Sequence, residues 1–215
     1  TTPGHQPGEL AITASDYRRW FAEMGNLGIR AVRIYTIHPP AFYRELARYN
    51  RAHAGAPLYL LQGVYLPDES YPDKPKGLYD PGVAAAFRAE LRDAVGAVHG
   101  DLERAPRPGR ADGRWRADVS RWLAGWIIGV EWDPFGAQRT DRVDEGAPSV
   151  EGRYFRSATG ATPTERWLAG NMNRLAALAE MAQAMWVLED PTHAAGVLER
   201  LAPYADRYVP NGRGA

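Results

Sequence analysis

The sequence predicts an α/β domain built on a parallel sheet, and three observations carry that reading. Helix and strand patterns alternate: helix, strand, helix, strand, helix, strand, then two helices. That order lays helices against a parallel sheet. The strand patterns are nearly continuous apolar runs without polar alternation, as expected when both sheet faces are covered. Two stretches follow strand ends, 67–82 and 135–161. Both exceed the ~12–15 residues usual for loops, and long loops are often functional.

Residues 1–8 carry Pro3, Gly4, Pro7 and Gly8 and read as loop. Thr13 or Ser15 can N-cap a helix over 16–27, with Tyr17, Trp20, Phe21, Met24 and Leu27 on one face. Gly28 suits the position that ends it. The β-branched run 29–36 predicts a strand, with Ala31, Arg33 and Tyr35 facing one way and Val32 and Ile34 the other. His38-Pro39-Pro40 breaks it, and Pro40 opens a helix over 41–53. A second apolar strand covers 58–66. After the first long loop a helix is expected over 82–102, with Val83, Phe87, Leu91, Val95 and Val98 in register. The basic, Pro/Gly-rich stretch 104–114 reads as a surface turn. A third strand over 125–134 ends on a carboxylate. Thr162-Pro163-Thr164-Glu165 is a capping box with proline at N1, and helical period continues to Trp186. Asp190-Pro191 marks a break before a last helix over 192–205 and a polar tail. The carboxylates Glu189 and Asp190 read as a helix end rather than a fourth short strand. No long internal repeat is visible.

Composition narrows the function classes. The chain has 215 residues, 26 basic and 26 acidic, hence no net charge. Duplex nucleic-acid binders and polybasic membrane clamps need a cationic excess. Cysteine is absent, which removes disulfides, thiolate metal sites and cysteine nucleophiles. No apolar run approaches the ~20 residues of a membrane helix. Lys74 and Lys76 are the only lysines, which reads as the coding bias of a high-GC bacterial sequence. The five histidines have no ligand spacing, so no metal is expected. Neither a G-x-G-x-x-G nor a G-x-S-x-G motif appears, so no cofactor and no serine nucleophile are expected. The opening Thr1-Thr2-Pro3 reads as an excised or incomplete piece and leaves localisation open.

Sites in parallel α/β folds gather at the C-terminal ends of strands. The first end gives Arg33, Tyr35 and His38, the second Gln62 and Tyr65, the third Glu131, Trp132 and Asp133. Aromatic faces can cover the C–H faces of a pyranose while carboxylate, amide and guanidinium groups fix its hydroxyls. Each residue also has a plain structural reading. Glu131 can cap a helix or pair with arginine, and Arg33 can be an ordinary ion-pair partner. His38 can be a loop histidine, and Asp133 a turn residue before Pro134.

The run Leu27-Gly28-Ile29-Arg30-Ala31-Val32-Arg33-Ile34-Tyr35-Thr36 resembles the second-strand motif of TIM-barrel retaining glycoside hydrolases. Trp126-Ile127-Ile128-Gly129-Val130-Glu131-Trp132 resembles their fourth strand, where a G-N-E triplet presents the acid/base glutamate. The match points to the β-galactosidase and β-glucanosyltransferase branches and covers roughly residues 10–135. It implies a partial (β/α)8 barrel with long βα loops over 1–215, with a mainly helical part over 162–205. It implies Glu131 as acid/base and Arg33 as a residue steadying the nucleophile. Val130 stands where the family usually has asparagine. The barrel's first strand and most of its second half, with the partner carboxylate, are expected outside this chain.

The expected function is therefore glycoside hydrolase or transglycosidase chemistry on a β-linked oligo- or polysaccharide. Arg33, Tyr35, His38, Gln62, Tyr65, Trp132 and Tyr154 are the expected sugar contacts. The acid must begin turnover protonated, a state that burial beside Trp132 would favour. The alternative is a domain that binds carbohydrate without cleaving it, or a structural α/β scaffold. Carbohydrate is the expected partner, with other domains of a longer parent chain as further ones.

Overall fold

A computed structural model describes residues 12–66, 70–142 and 147–188. Helix α1 (Ala14–Asn26) begins at Thr13, whose side chain and the Asp16 carboxylate cap each other's backbone N–H groups. Gly28 follows its end with φ 77°, a left-handed conformation that favours glycine. Strand β1 (Ala31–Ile34) leads to α2 (Pro40–Ala52), which opens on proline as expected. Tyr17 and Phe21 of α1 meet Phe42 of α2 edge to face, with ring centroids 5.4 and 5.5 Å apart. Leu27 lies beyond this face and is 78% exposed.

Strand β2 (Tyr59–Val64) pairs in parallel with β1, aligning Arg33 with Leu61 and Ile34 with Gln62. Asn50 fastens α2 to this strand: its amide donates to Leu58 O at 2.9 Å, and its carbonyl accepts from Leu58 N at 2.8 Å. A short 3₁₀ turn, Gly77–Tyr79, precedes α3 (Pro81–His99), which Asp80 caps. Its buried face carries Val83, Phe87, Leu91, Val95 and Val98, the register read from the sequence.

The stretch read as a surface turn, 104–114, joins two short strands that the sequence reading lacked, the antiparallel hairpin of β3 (Leu102–Arg104) with β4 (Gly113–Trp115). Three residues per strand are too few to show a period. Three tertiary contacts secure it. Trp115 is fully buried and its Nε1 donates to His38 O at 3.0 Å. Arg104 reaches the buried Glu90 at 2.8 Å, and Arg110 reaches the same carboxylate at 3.0 Å.

Strand β5 (Leu123–Ile128) completes a parallel sheet of order β1-β2-β5. The second long loop contains another element missed in the sequence, α4 (Pro134–Asp141), before α5 (Pro163–Leu188) begins at the expected capping box. Trp167 of α5 packs on Phe87 of α3, centroids 4.9 Å apart. The expected helix over 192–205 and the carboxylates Glu189 and Asp190 lie outside the described residues.

The protein is thus a mixed α/β structure on a three-stranded parallel sheet, which does not close into a barrel among the described residues. One expectation needs correction. Among the described residues, only one face of the sheet is covered. Ile34, Leu60, Gln62 and Val64 are buried in the layer that holds Phe42, Leu46, Phe87 and Leu91. On the opposite face Ala31, Arg33, Tyr35 and Tyr59 are exposed. The cause is topological. Both crossovers, through α2 and α3, advance in the same direction, and crossovers of one hand then place both helices on one side.

Candidate functional site

The uncovered face and the C-terminal strand ends form the candidate site. Arg33 stands exposed on that face, without an ion pair among the described residues. Tyr35 is two residues further along the same face, and its ring lies 5.8 Å from that of Tyr65 at a tilt of 46°. Tyr65 also lines a hollow of about 300 Å³ with Lys74, Asp80 and Arg110.

Beyond β5 the chain turns at Gly129, whose φ is 62° and whose N–H donates to Val64 O at 2.9 Å. A Cβ there would lie 2.8 Å from the Trp132 ring, so the turn requires glycine. The turn leaves Glu131 exposed, its carboxylate without a hydrogen bond or ion pair among the described residues. The capping role considered for Glu131 belongs to Asp133, which accepts from Gly136 N at the start of α4. Trp132 does not cover Glu131 through burial of the carboxylate. Its indole folds back, donating to Ile128 O at 3.2 Å and meeting Trp167 edge to face.

Two expected sugar contacts lie in the helix-covered layer instead. Gln62 is fully buried, accepts from the Tyr43 hydroxyl at 2.8 Å and donates to Gly63 O. Burial pushes the Tyr43 hydroxyl's pKa up. The His38 Nδ1 lies 2.9 Å from the Tyr17 hydroxyl, and burial lowers the imidazole's pKa to about 4. A third, Tyr154, sits against α5. Its N–H donates to Asn173 Oδ1, its hydroxyl donates to Glu180, and Arg153 lies over its ring. The structure therefore places Arg33, Tyr35, Tyr65 and Glu131 on the uncovered face or at the strand ends, and Gln62, His38 and Tyr154 elsewhere.

Sequence reading missed the residues of α4. Phe135, Gln138, Arg139 and Arg142 recur at i, i+3, i+4 and i+7, one face of a helix. They line a cleft of about 540 Å³ facing Pro72, Asp73 and Pro75. The Asp133-Pro134 pair, a cap followed by proline at N1, was the available signal.

Among the described residues, no group of three or more histidine or acidic side chains is placed to hold a metal ion. No helix among them is long and apolar enough to cross a membrane. Compared with protein-family models, with curated proteins and with solved structures, the chain matches none.

Proposed function

We propose that this is a glycoside hydrolase-like domain acting on a β-linked oligo- or polysaccharide, its sheet forming an arc of a (β/α)8 barrel. The observation that carries the reading is the position of Glu131. Among the described residues it is an exposed carboxylate without a hydrogen bond or ion pair, just past the C-terminal end of a strand in a parallel sheet with helices on one side. The uncovered face would then be the barrel interior, and Arg33 and Tyr35 on it face the substrate side. In a retaining cycle Glu131 would protonate the glycosidic oxygen while a second carboxylate attacks the anomeric carbon and the glycosidic bond breaks, and would then take a proton from the water or acceptor hydroxyl that displaces that carboxylate. The Tyr35–Tyr65 pair offers aromatic surface to a sugar ring.

A second reading, binding without cleavage, rests on Asp133. Retaining hydrolysis needs two carboxyl groups about 5–5.5 Å apart. Asp133, two residues from Glu131, has its carboxylate engaged as a helix cap.

Replacing Glu131 by Gln tests both. On aryl β-glycosides the catalytic reading expects turnover to fall about 10²–10⁴-fold, with oligosaccharide affinity retained. Unchanged turnover and unchanged affinity would remove Glu131 from the site. Sugar binding by the wild type without any turnover would establish the second reading.

A further inference from the structure

The cleft between α4 and residues 72–75 combines features that point to a charged ligand. Arg139 and Arg142 are both exposed and neither has an ion pair among the described residues. Phe135, on the same helix face, is 75% exposed. Phe135 is the one apolar member of this polar face, and the core lies on the other side of the helix, where Gly136 and Thr140 are buried. Thr140 accepts from Leu78 N at 3.0 Å, and a Cβ on Gly136 would lie 2.3 Å from the Tyr71 ring. The Tyr71 hydroxyl also accepts from Asp133 N at 2.8 Å. Thr164 N donates to Asp141 at 2.9 Å. α4 is therefore held on its inner face and at both ends, and its outer face is presented in a fixed orientation.

We infer that this cleft binds an acidic sugar residue, a uronate, of the β-linked chain taken by the strand-end site. The inference rests on the carbohydrate reading above and adds its substrate class. Phe135 offers an apolar face to the C–H side of a pyranose. The Arg139 and Arg142 guanidinium groups match the planar carboxylate, which accepts paired N–H donors. Gln138 can donate to or accept from ring hydroxyls. Asp73, exposed across the cleft, is an acceptor for a hydroxyl and discourages a bare dianion. Asp133 also lines the cleft, with its carboxylate already turned to the helix start.

The test is titration calorimetry of the 215-residue chain with three probes: a β-1,4-linked mannuronate oligosaccharide, a cello-oligosaccharide of equal length, and inorganic phosphate. The uronate is expected to bind about tenfold or more tighter than the neutral chain, with phosphate weaker than both. Arg139→Ala with Arg142→Ala should abolish the preference and leave neutral binding in place. Phe135→Ala should weaken both sugars together. These surface changes leave the buried side of α4 intact, and circular dichroism verifies the fold. Equal affinity for acidic and neutral sugars, or a preference that survives loss of both arginines, overturns the uronate site while leaving the carbohydrate reading standing. Phosphate binding as tightly as the uronate overturns it in favour of a plain anion site. Absence of binding to either sugar overturns both readings.

Discussion

At the scale of single residues, His38 shows what burial does to a titrating group. Its ring is enclosed by Tyr17 and Phe42, centroids 6.0 and 5.1 Å away, and its pKa falls to about 4. In the unfolded chain the same imidazole titrates near 6.5. Between these values the unfolded state binds a proton that the folded state refuses. His38 therefore favours folding fully above about pH 6.5, and that contribution is lost as pH drops toward 4. The difference corresponds to about 3 kcal/mol. Asn in place of His38 keeps an acceptor near the Tyr17 hydroxyl but does not titrate. The expected outcome, read from urea unfolding at pH 7 and pH 4.5, is a smaller loss of stability in acid than in wild type. The slope should shrink rather than vanish, because burial also lowers the His99 pKa against the opposing pull of Asp118. An unaltered slope would mean that His38 is not held neutral.

The same residue scale explains which site residues were legible. Side chains alternate along a strand, so Arg33 and Tyr35 share a face, as read from the sequence. Gln62 and Tyr65 differ by three positions and leave β2 in different directions, so proximity to one strand end did not place both in one site. Nothing in the local pattern says that Tyr43 waits beneath Gln62, a partner 19 residues away.

At the scale of elements, the long helices were legible because their period runs for several turns, and the three sheet strands because each lies in a nearly continuous apolar run, 29–36, 58–66 and 125–134. The two missed elements are short. Hairpin β3–β4 depends on Trp115 reaching His38, 77 residues away, and on arginines reaching Glu90. Tertiary partners of that kind leave no local mark. α4 did leave one, in its cap. Asp133→Ala is expected to lower stability by about 1 kcal/mol, the usual cost of losing an N-cap, whereas Asp133→Asn should restore most of it. Urea midpoints of the three proteins check this. Equal midpoints for Ala and Asn would show that the cap contributes nothing.

At the scale of the whole molecule, the decisive feature is the one-sided sheet. Apolar runs suggested strands covered on both faces, because run composition does not tell a strand packed twice from one whose second face carries tyrosines, glycine and an arginine. The order β1-β2-β5 settles the sides: both helical crossovers fall on one, leaving the other to Arg33, Tyr35 and Tyr59. The carbohydrate site proposed at the strand ends rests on that asymmetry together with Glu131. The opposite end of the molecule holds its own recess, lined by Arg51, His99, Asp118 and Arg121, and so provides an internal comparison. The most direct test is a titration of ¹⁵N-labelled protein with a panel of β-linked oligosaccharides, followed by amide chemical shifts. The account predicts saturable shifts at Tyr35, Tyr65 and Glu131 and along residues 70–76, with Arg51, His99 and Arg121 silent. Saturable shifts confined to Arg51, His99 and Arg121, or none with any sugar, would contradict it.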